Sequence, residues 1–289
     1  MPLFRELWSE AVVTPAGLIH YQESQPERAA MRAWVAEDAG AIVGFANARI
    51  RWALAEEGIA SAWAGVLPSH RRRGFGGRLY ELAEAHLRDQ QARRIESSYR
   101  EDEPEGRRFA QRLGFTEARR EQYWALDVSS AEVTEPHPPE GLAVVRLGEV
   151  RDRERELFDL YSAAERDMPN DHPHSLVFEE WLPEALGNPE LDLEVSAVVL
   201  VDDRPASFAW LVTDREGRRA ENEMTGTAPE FRRRGLARLA KEATIARAAE
   251  AGIRTILTSN DTTNADMLAL NEHLGYQPTV LRIWIAKSF

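Results

Sequence analysis

Residues 70–77, HRRRGFGG, and residues 231–238, FRRRGLAR, decide how this chain folds. Each sets three arginines directly before a glycine, and each follows a run that passes through proline, VLPSH (66–70) and TAPEF (227–231). Apolar residues at helical spacing come next: Leu79, Leu82 and Leu87 in the first, Leu236, Leu239, Ala243 and Ala246 in the second. Both stretches therefore predict a strand turning into a helix. The exposed amides and positive dipole end of such a junction attract anions. A glycine without Cβ lets a phosphate approach the backbone, and guanidinium groups add charge and paired donors. Two other phosphate loops do not fit. Neither stretch has the Gly-Lys-Ser/Thr of a P-loop, and after Gly74 and Gly76 a dinucleotide fingerprint would need glycine where Leu79 stands.

The two stretches are in register. Arg71 and Arg232 are 161 positions apart. The same offset relates Gly74 to Gly235, Pro68 to Pro229, Gly65 to Gly226, Glu81 to Glu242, Ile95 to Ile256 and Ser98 to Ser259. It also relates LGF (113–115) to LGY (274–276), so the chain is a tandem duplication. Residues 127–141, DVSSAEVTEPHPPEG, carry three prolines and no apolar period, the mark of a linker. The predicted division is a domain over 1–128, a linker over 129–140 and a domain over 141–289.

In the second copy, strands are expected at GLAVVRL (141–147), in a hairpin turning near Asp202–Asp203, at ENEMTGT (221–227), at RTILTSN (254–260) and at TVLRIWIAK (279–287). Helices are expected over 150–166, after the arginine turn, and over 264–274, stopped by Gly275. The first copy follows the same order, but the counterpart of the 141–147 strand would fall before residue 1. That strand is then either missing or supplied from elsewhere.

Composition narrows the function. A net charge of -12 argues against general nucleic-acid binding. There is no cysteine, hence no disulfide and no thiol nucleophile. No apolar run approaches the ~18 residues of a membrane span, and no signal peptide is visible, so a cytoplasmic location is expected. His172 and His174 lack a clear third ligand for a metal.

The pattern Arg-x-x-Gly-x-Gly/Ala, with Leu-Gly-aromatic about forty residues later, resembles the GNAT superfamily of acyl-CoA-dependent N-acetyltransferases. The tandem layout is similar to that of mycothiol synthase-like acetyltransferases. The resemblance implies an α/β (α+β) fold of two GNAT-like domains, each a mostly antiparallel mixed sheet flanked by helices. It implies acetyl-CoA as cofactor, with its pyrophosphate on Arg232, Arg233, Arg234, Gly235, Leu236 and Ala237. In the first copy the corresponding residues are Arg71, Arg72, Arg73, Gly74, Phe75 and Gly76. The pantetheine arm would pair with Thr225, Gly226 and Thr227, or with Ala64, Gly65 and Val66, where the fourth and fifth strands splay. Asn264 begins a helix from which relatives contact the cofactor; Glu103 stands there in the first copy. Asn271 occupies a cofactor-facing position where many relatives have an acidic tyrosine, and Ala110 is its counterpart.

Strict alternation puts Glu221, Glu223, Thr225 and Thr227 on one face of their strand. Glu223 is the expected general base, since the corresponding stretch of the first copy, through Ile59, Ser61 and Trp63, has no carboxylate. The second copy is thus the expected catalytic one. The expected acceptor is a small-molecule primary amine, which Asp167 and Asp171 of a loop would meet; no nucleic acid or membrane partner is expected. The alternative is a non-catalytic acyl-CoA-binding or regulatory protein.

Overall fold

The computed structural model describes residues 2–130, 134–166, 168–169 and 172–289. Asp167, Asp171 and residues 131–133 of the linker lie outside the described residues. In chain order the elements are α1 (Pro2–Leu7), α2 (Pro15–Glu23), β1 (Arg32–Asp38), β2 (Ala41–Ile50), β3 (Ile59–Val66), α3 (Phe75–Asp89), β4 (Arg94–Arg100), α4 (Pro104–Arg112) and β5 (Thr116–Asp127). Then follow β6 (Leu142–Arg146), α5 (Glu154–Glu165), α6 (Phe178–Trp181), β7 (Ala197–Val201), β8 (Arg204–Asp214), β9 (Arg219–Thr227), α7 (Leu236–Glu250), β10 (Thr255–Asp261), α8 (Ala265–His273) and β11 (Gln277–Ser288).

Two compact units result, and they are not the two halves of the sequence. One comprises Met1–Ser9, Tyr21–Glu121 and Val280–Phe289; the other comprises Glu10–His20 and Gln122–Thr279. In the first unit the strand order is β1-β2-β3-β4-β11. The chain's last strand completes it, running antiparallel to β4 from Arg282↔Arg100 to Ser288↔Arg94. The expected split at a 129–140 linker therefore does not describe the packing. A strand's pattern of apolar residues specifies a buried face, not the edge on which it will pair. Among the described residues no strand stands outside β1 in this sheet, the position that β6 takes beside β7 in the second unit. Helix α3 covers the sheet through Tyr80, Ala83 and Leu87, against Ala60, Ala62, Ile95, Ile283 and Ile285.

In the second unit the order is β5-β10-β9-β8-β7-β6. Pairing is antiparallel from β6 through β7 and β8 to β9, and parallel between β9 and β10. The β7–β8 turn is made by Asp202 and Asp203 at φ 48 and 63, the left-handed pair that a two-residue hairpin requires. One face of the sheet buries Val198, Leu200, Phe208, Trp210 and Met224 under α5 and α6, with Leu157, Leu160 and Trp181. The other buries Val199, Ala209 and Leu211 under α7, with Leu236, Ala240, Ile245 and Ala248. Each Val, Leu, Ile, Phe or Met among them contributes about 1.5–3 kcal/mol when fully buried. Among the described residues no helix is long and apolar enough to cross a membrane.

Candidate active site

The two arginine turns have the same backbone. Arg72 and Gly74 have φ of 63 and 89; Arg233 and Gly235 have φ of 60 and 76. Gly74 and Gly235 are the N-caps of α3 and α7, and a Cβ at either would meet no protein atom within 4 Å. Glycine is thus explained by the left-handed conformation, and the space over each helix start is open. The first arginine of each triplet braces the strand before it: Arg71 Nε donates to Val66 O (3.1 Å) and Arg232 Nε to Thr227 O (3.3 Å).

Behind each turn a parallel pair of strands comes apart. β9 and β10 are in register only at Thr255↔Arg219, Ile256↔Ala220 and Leu257↔Glu221. β3 and β4 likewise pair only at Ile59↔Arg94, Ala60↔Ile95 and Ser61↔Glu96. Ala228 N donates to Ala206 O, so by alternation Gly226 turns its backbone to β8, and Thr225 and Thr227 turn theirs into the gap. In the first unit Leu67 N donates to Val43 O, so Ala64 and Val66 face the gap and Gly65 does not. Of the six strand residues expected to pair with an extended ligand, Gly226 and Gly65 therefore do not present backbone to it. Their glycines have local causes instead. A Cβ at Gly226 would strike Ala164 of α5 at 2.2 Å, and one at Gly65 would strike the Trp63 ring at 2.1 Å.

The electrostatics separate the copies. In the first unit Arg71 lies 3.2 Å from Glu103 and 3.9 Å from Glu105, Arg72 lies 3.9 Å from Glu105, and Arg73 lies 2.7 Å from Asp38. The triplet is already matched by carboxylates. In the second unit Arg233 meets Asp266 at 3.0 Å with both side chains more than four-fifths exposed, a pair of little strength. Arg234 rests over the Phe231 ring. Asn264 takes the place of Glu103 and caps α8, its Oδ1 accepting from Met267 N (3.3 Å).

This conjunction of strand, splayed edge, arginine–glycine turn and helix start occurs twice, and the acetyltransferase (GNAT) family model matches residues 1–115 and again residues 155–276. The chain belongs to the GNAT acetyltransferase family. No curated protein matches it. Among solved structures it is similar to a tandem GNAT protein from the clavulanic acid biosynthesis pathway. That match has 18% identity and a TM-score of 0.76, over 99% of this chain and 92% of that one. It is also similar to a GCN5-related N-acetyltransferase from Sphaerobacter thermophilus (18%, TM-score 0.69, 86% of this chain and 78% of that one). A putative acetyltransferase from Pyrococcus horikoshii matches at 13% and TM-score 0.59, over 100% of this chain and 84% of that one. At such identities these likenesses show the fold, two GNAT domains in tandem.

For a GNAT protein the informative strand is β9. Trp210 pairs with Met224 and Leu211 with Asn222, which leaves Glu223 as an extra residue, a β-bulge. The bulge reverses the alternation that the sequence suggested. Asn222, Thr225 and Thr227 share the α7 face, where Thr225 Oγ1 donates to Asn222 Oδ1 (3.0 Å). Glu221 and Met224 share the α5 face. Glu223 does not lie with Thr225; it stands on the side of Tyr161, Glu184 and Glu190, whose charges act on it or feel its own.

Glu223 is exposed, yet burial among protein atoms, together with Glu184 and Glu190, pushes its carboxyl up to about 7. Both hold for a recess, where water reaches the carboxylate but cannot surround it. The Glu190 carboxyl is also raised, mainly by burial. Residues 10–20 of this unit run over these groups. Val12 N donates to Glu221 (2.8 Å), Thr14 N donates to Glu190 (3.0 Å), and His20 Nε2 lies 2.9 Å from Glu184 O. Sequence reasoning missed Glu184, Glu190 and this segment, because they carry no motif. His174, set aside as a metal ligand, lies 2.7 Å from Glu165.

Ionising Glu223 in the recess opposes folding. Its folded pKa exceeds that of an unfolded glutamate, so the native state binds more protons between the two values, and stability falls as pH rises through that window. Glu223→Gln is expected to raise Tm above about pH 8 and leave it unchanged near about pH 4. Equal shifts at both pH values in thermal unfolding would contradict the assignment.

Asn271 is placed differently from expectation. It is fully buried, accepts from Lys241 Nζ (2.8 Å) and donates to Asn260 Oδ1 (2.6 Å), so it offers no surface to a cofactor. A cleft of about 650 Å³, lined by Ala125, Asp127, Ser129, Arg254, Thr255 and Gln277, opens at the opposite end of β10 and gathers no groups for acyl transfer.

Proposed function

We propose that the chain is an acetyl-CoA-dependent N-acetyltransferase that acts on a primary amine of a small molecule, with its chemistry in the second unit and in the cytoplasm. The residues present fit the donor. The open space over Gly235, the α7 amides and the Arg232–Arg234 triplet suit a pyrophosphate, and the gap-facing backbone of Thr225 and Thr227 suits an extended pantetheine arm. Acetyl-CoA would supply an activated acyl group on a thiol that leaves readily.

The observation that carries the reading is Glu223, a bulged carboxylate beside the splayed strands with its pKa near neutrality. An alkyl ammonium has a pKa near 10.4, so at neutral pH only about one molecule in a few thousand is the free amine. Glu223 takes the proton as nitrogen attacks, and Glu184 and Glu190 attract the cationic form to the recess. The first unit keeps the turn but lacks a carboxylate on β3, and its arginines are matched internally. It serves as scaffold or as a weaker coenzyme A site.

A panel of small primary amines, scored by thiol release from acetyl-CoA, tests the proposal. Turnover with at least one cationic amine is expected. Saturable acetyl-CoA binding without turnover on any amine, peptide N-terminus or lysine would favour the non-catalytic reading instead.

A further inference from the structure

Lys241 is 1% exposed on α7 and has no carboxylate partner among the described residues. Among the described residues its ammonium has one hydrogen-bond acceptor, Asn271 Oδ1, and it lies 4.9 Å from the Tyr276 ring centre. Burial pulls its pKa down to about 7. A buried cation with so little compensation is unfavourable, and an apolar side chain of the same length would fill the space without that penalty.

The arrangement has a consequence for polarity. In its ammonium form Lys241 only donates, and in that form it holds Asn271 with Oδ1 turned toward it. Its Nδ2 then points the other way and donates to Asn260 Oδ1 at 2.6 Å. Asn260 is thereby fixed with its oxygen occupied and its Nδ2 pointing away, and among the described residues that Nδ2 makes no hydrogen bond. Asn260 lies three residues beyond Leu257, the last residue of β10 paired with β9, so it borders the gap. Thr258, on the same face, reaches across to Asn222 O (3.3 Å). At the corresponding positions the first copy has Tyr80, Ala110 and Tyr99, so the chain of three polar side chains is confined to the second unit.

We propose that Asn260 donates a hydrogen bond to the sulfur that departs in acyl transfer, and that Lys241, acting through Asn271, is the positioning residue that orients it. This rests on the acetyltransferase reading of the same gap. As the amine nitrogen bonds to the carbonyl carbon, the carbon–sulfur bond breaks with its electron pair on sulfur, and the nitrogen's proton goes to Glu223. The sulfur leaves as a thiolate held by the Asn260 N–H, so no acidic tyrosine is needed at position 271.

The test uses coenzyme A as the probe and the full chain. The thiol of bound coenzyme A is titrated by thiolate absorbance, as a difference against bound desulfo-coenzyme A. A donor to sulfur favours the anion, so in the wild type the bound thiol should titrate at least tenfold more readily than a free thiol of pKa about 8.5. Asn260→Leu should return it to the free value and lower kcat, with desulfo-coenzyme A affinity unchanged. Lys241→Met should move the thiol the same way in the wild type and add nothing in the Asn260→Leu background. Free-like titration in the wild type, no effect of Asn260→Leu, or an undiminished Lys241→Met effect in that background overturns the proposal. Failure of the wild type to bind coenzyme A at all overturns the acetyltransferase reading, and this inference with it.

Discussion

Glu223→Gln is expected to lower kcat at least tenfold, and by ~10²–10⁴ if proton removal limits the rate. The amide has the shape of the carboxyl but accepts no proton. The acetyl-CoA KM should be nearly unchanged, because the groups that suit the donor are the gap-facing backbone of Thr225 and Thr227 and the α7 start, not the Glu223 side chain. In the wild type the rate should rise with pH through an acidic limb near 7, the value to which burial and neighbouring carboxylates push Glu223. That limb should vanish in the variant. Glu221→Gln should do less to kcat, since Glu221 lies in the last paired rung of β9 and β10 and accepts from Val12 N. Steady-state kinetics over pH decide it. A wild-type rate in Glu223→Gln at neutral pH would remove the base, and a larger loss in Glu221→Gln would move it along the strand.

Gly235→Val is expected to weaken acetyl-CoA binding about tenfold or more, a change of roughly 1.4 kcal/mol. Two effects combine in it. At φ 76 a β-branched residue is strained, and its side chain fills the space over the helix start. Gly74→Val separates them. Gly74 has φ 89 and the same open surroundings, so it carries the same strain in a turn whose arginines already meet carboxylates. Similar losses of Tm are expected from both, with turnover largely intact in Gly74→Val. Calorimetry and kinetics on the two variants provide the comparison. Abolished turnover in a folded Gly74→Val protein would reverse the roles of the copies.

Local chemistry was legible in the sequence wherever one residue decides a backbone conformation. The left-handed Asp202–Asp203 hairpin, the stop at Gly275 and both arginine–glycine turns follow from the residues that occupy them. The duplication was legible because its offset is constant. The exchange of β11 into the first unit was not, because Arg282–Ser288 would complete any antiparallel edge of suitable pattern. The Glu223 bulge was hidden for a related reason. Alternation presumes one residue per rung, and nothing in ENEMTGT announces the extra one. The neutralised first turn depends on Asp38, whose partner Arg73 lies 35 positions away. Lys241 did leave a signal: a lone lysine among the alanines and leucines of α7, on a helix buried along much of its length. The resemblance alone assigns Asn271 to the cofactor, whereas in the structure Lys241 claims its side chain.

The central claim is that the acyl donor binds where β9 gives way to α7. A crystal structure of the protein with acetyl-CoA tests it most directly. Pyrophosphate density is expected within hydrogen-bond reach of the Arg234, Gly235 and Leu236 amides, with the pantetheine arm alongside Thr225 and Thr227 and the thioester toward Glu223. Density confined to the turn at residues 71–76, or to another cleft, would contradict it.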